Sequence, residues 1–285
     1  RYRYLTAEHL AWLAYPTAPL RELQRRLRLL WAHGVLDRHY FRGVTDGTAD
    51  SLRGLTTPVY ALASKGARLV AQDREELDVD SIPQRPADNT VGFATLQHHL
   101  VAIGFLAALE AAGKVTSGLA VTPTTEVDMR RAIASKTFGR RTFSEFIVSD
   151  AAATLARPFD KQLTFHLEVV RADVRRGNQT LRRKMEKYVA LNRTGFFRRA
   201  YGHERVRAVL IATTTPARAA NFRRLAESLP RGRDLFWFTS YERQRSAGPP
   251  ITRFTPSTVT QPIWEDVHGR LHSLTAAASN SCAAP

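Results

Sequence analysis

Apolar positions over residues 6–75 recur first at helical spacing, then in short β-like runs, then at helical spacing again. Thr6 is placed to cap a first helix that turns Leu10, Leu13 and Ala14 inward, and Pro16 and Pro19 interrupt it. Leu20, Leu23, Leu27, Leu30 and Trp31 then form a helical stripe, with Arg21, Gln24, Arg25 and Arg28 on the opposite face. Gly34 suits the residue just past the end of that helix. Residues 35–42 and 58–62 read as strands joined by a polar, glycine-containing loop, and Ser64 as the cap of a last helix through Leu69 and Val70. Helix, helix, hairpin, helix predicts a winged helix-turn-helix over residues 1–75.

Residues 76–92 lose this patterning and gain Asp, Glu, Pro and Gln, with Pro83 and Pro86 limiting collapse, so they read as a linker. From residue 93 the pattern becomes that of an α/β domain reaching residue 245. A helix over 95–112 sets Leu96, Leu100, Ile103 and Leu106 on one side. Candidate strands follow at 119–122, 145–155, 163–170, 206–213 and 234–239, with helices around 178–191 and 217–229. That order predicts a mixed sheet with helices on its faces. Residues 246–285, rich in Pro, Thr, Ser and Ala, are expected to be a loosely packed tail.

Charge narrows the class of partner. The 285 residues carry 42 Lys and Arg against 26 Asp and Glu, a formal net charge of +16. Such a chain attracts polyanions, and double-stranded DNA is the expected partner, because Lys and Arg release its condensed counterions. The exposed-face residues Arg21, Gln24, Arg25 and Arg28, with Arg38 on the first hairpin strand, are the expected DNA contacts. Arg182 and Arg183 extend the basic surface into the second half. The single cysteine, Cys282, allows neither an internal disulfide nor a cysteine zinc site, which suits a cytoplasmic setting. Arg1-Tyr2-Arg3-Tyr4 lacks an apolar signal core and an initiator Met, as in a trimmed chain, and residues 100–112 are too short an apolar run to cross a bilayer.

The second half also carries carboxylates in strand-like settings. Alternation along 163–170 puts Phe165, Leu167 and Val169 on one face and His166, Glu168 and Val170 on the other. Asp150 ends the apolar run 146–148, expected in the same sheet, and Glu126 is expected on the loop after the first strand. Oxygen ligands of this kind take Mg²⁺ or Mn²⁺. The plainer alternative, that Asp150 and Glu168 pair with Arg171, Arg182 or Lys184, stays open, and His166 reads as a packed histidine rather than a ligand.

Leu5-Thr-Ala-Glu-His-Leu10, Val59-Tyr-Ala-Leu-Ala-Ser-Lys-Gly66, Val148-Ser-Asp-Ala151, Leu167-Glu-Val-Val-Arg171, Lys184-Met-Glu-Lys-Tyr188 and Val209-Leu-Ile-Ala-Thr213 with Arg218 carry a resemblance in their order and spacing. Through them the chain resembles the replication-relaxation family of plasmids and mobile elements over most of residues 4–240. The resemblance implies a restriction-endonuclease-like second domain, similar to the PD-(D/E)xK nucleases. There Asp150 and Glu168 match the acidic ligands, and Glu126 would be an additional metal ligand. The usual lysine is replaced by Val170, and Lys184 and Tyr188, i and i+4 on the next helix, would be its relocated substitutes. That helix carries a Gln-to-Tyr motif at the same spacing in some nucleases.

The chain has no GxxxxGK[ST] loop, no GxSxG elbow and no HExxH helix, and His9, His33 and His39 lie outside any relaxase-like histidine cluster. The leading expectation is a DNA-binding accessory protein of replication, relaxation or mobilisation, acting with a relaxase or replication protein through a nuclease-like domain without catalysis. The alternatives are a divalent-metal-dependent endonuclease or nickase, and a homodimeric transcriptional repressor.

Overall fold

The computed structural model describes residues 2–16, 18–41, 57–74, 78–82, 93–135, 146–158, 162–170, 174–203, 206–240 and 254–277. The hairpin loop at 42–56, most of the expected linker, Arg171 and Cys282 lie outside the described residues. The chain divides into two compact units, one running to Ile103 and the other starting at Gly104.

In the first unit, β1 (Leu5–Thr6) leads into α1 (Ala7–Ala14), α2 (Leu20–Ala32), β2 (Leu36–Phe41), β3 (Thr57–Leu62) and α3 (Ser64–Asp73). The strands form an antiparallel sheet in the order β1-β3-β2. Thr6 starts α1 through a capping box, its hydroxyl accepting from His9 N–H while the His9 ring accepts from Thr6 N–H. Gly34, at φ +69°, turns the chain out of α2 into β2. A Cβ on Gly66 would collide with the carbonyl of Val35, so only glycine lets α3 approach the strand so closely.

Burial differs from the expected stripes. In α2 only Leu23 and Leu27 are buried, whereas Leu20, Leu30 and Trp31 are exposed. The two buried positions lie i, i+4 and face Ala7 and Tyr60, so the unit's small core uses a narrow band of the helix. In α1, Ala7 and His9 are buried and Ala14 is exposed. The cap of α3 is Ala63, without a side-chain bond, rather than Ser64.

The long helix α4 (Phe93–Val115) contains the boundary between the units. In the second unit follow β4 (Ala120–Thr125), α5 (Glu126–Ala134), β5 (Ala151–Ala156), β6 (Leu163–Val170), α6 (Val174–Arg193), α7 (Phe196–Tyr201), β7 (Val206–Thr213), α8 (Pro216–Glu227) and β8 (Phe236–Ser240). Then come α9 (Pro256–Val259), β9 (Trp264–Glu265), β10 (Leu271–His272) and α10 (Leu274–Ala277). The sheet has seven strands in the order β10-β9-β8-β7-β6-β5-β4, with β6, β7 and β8 parallel and the other pairs antiparallel. This is a mixed α/β architecture with a mixed sheet.

One sheet face is covered by α6, α7 and α8, where Met185, Tyr188, Phe197 and Phe222 pack on Val209, Ile211, Phe236 and Phe238. Of the segment expected to be a loose tail, residues 254–277 are instead part of this unit. Phe254 and Trp264 are fully buried and both meet the ring of Phe105, while Val259 and Leu274 are also buried. A few large apolar residues anchor it despite a composition dominated by small and polar ones.

Candidate functional site

β6 is buried on both faces over Leu163–Val169, yet it carries His166 and Glu168. A buried ionisable group needs a partner, because removing its charge from water is costly. Strand alternation sends Phe165 toward Trp237 on one face and Glu168 toward α6 on the other. Lys184 and Tyr188, one turn apart on α6, both reach Glu168. Lys184 Nζ donates to Oε2 at 2.5 Å, and the Tyr188 hydroxyl donates to Oε1 at 2.5 Å. Both carboxylate oxygens are therefore engaged.

Asp150 lies beside this pair. It immediately precedes β5, and residues 146–149, expected in the same sheet, belong to no strand or helix. Its N–H donates to Leu167 O at 3.0 Å, and its Oδ2 accepts the Val169 N–H at 2.7 Å. Glu126 is the first residue of α5 and not part of a loop; the capping box of Thr125 and Asp128 starts that helix there. Its Oε1 accepts from Arg130 at 2.6 Å, yet its charge is still felt at Lys184.

The electrostatics follow from burial. Burial pushes the Glu168 carboxyl up to about 7, against the opposing pull of Lys184 and with help from Asp150. For Lys184 burial works to lower the value, but Glu168, Asp150 and Glu126 outweigh it and hold the ammonium charged. Burial and then the charge of Glu168 raise the Tyr188 phenol well above its ordinary value, keeping it a donor.

A second polar chain runs alongside. Ser149 Oγ lies 3.0 Å from Ala151 O and 2.9 Å from His166 Nδ1, and His166 Nε2 lies 3.2 Å from His203 Nδ1. Burial, then the neighbouring His203, holds His166 well below its ordinary value, and burial lowers His203 to about 4. Both rings are neutral near pH 7. His203, just after α7, has no signal in the sequence, since its partner is 37 positions away on β6.

The donor set of Asp150, Glu168 and Glu126 has the oxygen chemistry that Mg²⁺ or Mn²⁺ takes. Its arrangement does not fit such an ion. Each Glu168 oxygen already accepts a hydrogen bond, from Lys184 and from Tyr188, Asp150 Oδ2 is held by a backbone amide, and no group of three His, Cys, Asp or Glu side chains could hold a metal among the described residues.

On the surface of the first unit, Arg21, Arg25 and Arg28 are exposed and Gln24 is half-buried. Arg25 and Arg26 share Glu22 at 3.0 Å, and Arg28 Nε lies 3.4 Å from Gln24 O. Arg38 stacks over Trp31 at 3.9 Å from the ring centre. In the second unit Arg182 bonds Glu186 and Ser228, and Arg183 is exposed.

A family model described as replication-relaxation matches residues 1–206, a range that contains α2, Asp150, Glu168, Lys184 and Tyr188. No curated protein and no solved structure matches the chain. No helix among the described residues is long and apolar enough to cross a membrane.

Proposed function

Because the chain belongs to the replication-relaxation family, we propose that it is a DNA-binding protein serving the replication or relaxation of a plasmid or other mobile element. The observation that carries this reading is the first unit's order: two helices followed by a hairpin, with strands arranged β1-β3-β2 and exposed arginines on the second helix. This is the order of a winged helix, in which α2 would enter the major groove and the β2–β3 hairpin would lie along adjacent phosphates. Arg21, Arg25 and Arg28 are the side chains best placed to reach bases. A relaxase or replication protein is the protein partner that such a role implies. The test is retention of restriction fragments from a mobile element that encodes the chain. Preferential retention of one fragment set supports the reading, and equal failure on every fragment overturns it.

A second reading, a nuclease or nickase, is favoured by one observation, the convergence of Lys184 and Tyr188 on Glu168 beside Asp150. It requires Lys184 to release Glu168 before any cation is bound. Supercoiled plasmid incubated with the protein and Mg²⁺ or Mn²⁺ tests it, with Glu168→Ala as control. Nicking that survives this substitution belongs to something else.

A further inference from the structure

The positive charge of this chain is densest not on α2 but in the helical layer of the second unit. Over α2, four arginines stand against one glutamate. Over residues 174–201, which make α6 and α7, nine Lys and Arg stand against the single acidic residue Glu186. That is a net +8, half of the chain's +16, in 28 residues.

We infer that the outer surface of α6 and α7 is a docking face for the phosphate backbone of a nucleic-acid duplex, an inference that rests on the DNA-binding reading above. The inner side of α6 is spoken for: Leu181, Met185 and Tyr188 enter the core, Lys184 is bound to Glu168, and Lys187 Nζ donates to Phe146 O at 2.7 Å. Among the remaining cations whose side chains are described, Arg182 bonds Glu186 and Ser228, Arg199 bonds Thr194 O, and Arg183, Arg193 and Arg198 are exposed. Gly195, in the left-handed region at φ +66°, makes the turn that brings the end of α6 and the start of α7 to one corner. From Arg183 to Arg193 the helix advances about 15 Å at ~1.5 Å per residue. That length matches about four phosphates along one strand at ~3.4 Å of axial rise each.

The chemistry favours nucleic acid over a lipid surface. A helix lying on a membrane exposes an apolar face, but among the described residues the exposed large hydrophobic side chains include none from α6 or α7. The charge is mostly arginine, whose planar guanidinium binds phosphate in a two-pronged fashion. Nothing in this face reads bases, so it supplies affinity without sequence preference.

Fluorescence anisotropy of a labelled duplex with the full chain tests the inference at several salt concentrations. The triple substitution Arg183→Ser, Arg193→Ser, Arg198→Ser should weaken binding by about 30-fold or more near physiological salt. It should also reduce the slope of log affinity against log salt by about 3, close to one unit per lost phosphate contact. The corresponding triple Lys variant should keep the slope, and matching circular dichroism melts exclude a folding defect. If the wild-type chain binds duplex and the Ser variant binds with unchanged affinity and slope, the docking face is refuted while the DNA-binding reading stands. If the wild-type chain binds no duplex, the earlier reading fails as well. Displacement of the duplex by an equal charge of polyglutamate would also refute the face, marking it as a site for acidic protein.

Discussion

Lys184 Nζ and Glu168 Oε2 meet at 2.5 Å, joining the middle of a helix to a buried strand across 16 positions of sequence. Glu168 is only 5% exposed at its side chain and Lys184 33%, so the pair is a partly desolvated ion pair and not a surface bridge. Removing one partner leaves the other charge without compensation. Lys184→Met should therefore destabilise the fold by about 3 kcal/mol. Pairing it with Glu168→Leu should recover most of that loss. Urea denaturation of the single and double variants measures both, and a double variant no better than the single one contradicts the ion-pair account.

Tyr188→Phe isolates the other half of the grip on Glu168. It deletes only the hydroxyl that donates to Oε1 and leaves the ring stacked on Phe197. A hydrogen bond to a charged group contributes about 1.5–3 kcal/mol, so a loss of that size is expected in denaturant unfolding. The Glu168 carboxyl should move further up, because the hydroxyl bond favours its charged form. Nuclear magnetic resonance of the labelled carboxyl follows that movement, and an unmoved titration contradicts it.

The acid limb of stability should belong to the buried histidines, His9 in the first unit, which burial lowers to about 4, and the pair His166 and His203 in the second. His166 and His203 are neutral in the fold because burial lowers their values, so unfolded chains bind more protons as pH falls below the ordinary histidine value near 6.5. Their contribution is present above that value and is lost as pH falls through 6.5 toward the folded value, about 4 for His203. Glu168 works in the opposite direction. Its raised carboxyl contributes stability that is full below about 4.5 and is lost as pH rises through about 7. Unfolding midpoints between pH 7 and 4.5 should fall in the wild type and fall less in His203→Asn. Equal slopes in both would remove His203 from the account.

The predicted reading helix gives a separate expectation. Arg21→Ser with Arg28→Ser should lower the ratio of specific to non-specific duplex affinity by about 10-fold or more, since a good base contact is worth about 1–3 kcal/mol. The α6–α7 substitutions should lower both affinities together and leave that ratio unchanged. Competition binding with a retained and an unretained fragment separates the two outcomes.

Much of this architecture was legible in the amino-acid pattern, and the failures have physical causes. The order of helices and strands in the first unit follows from hydrophobic period, as do α4, α6, α8 and the strands β4 to β8 of the second, whereas α5, α7, β9 and β10 do not. Thr6 and Gly34 mark the start of α1 and the exit from α2. Glu126 reads as part of a loop, yet it starts α5, whose signal in the sequence is the capping pair Thr125 and Asp128. The packing of residues 254–277 was hidden by composition: Phe254 and Trp264 are two aromatics among many small residues, and their partner Phe105 is far away in sequence. The i, i+4 spacing of Lys184 and Tyr188 showed that they share a helix face, but only the fold shows that this face meets Glu168. The density of charge on 174–201 needed no structure, only a count made segment by segment.

The central claim is that this chain holds duplex DNA through its arginines. The most direct measurement is the affinity of the wild-type chain for a duplex fragment between about 50 and 200 mM salt. With five or more phosphates neutralised, the logarithmic slope should be about −4 or steeper. A slope near zero, or no measurable affinity at the lowest salt, contradicts the account.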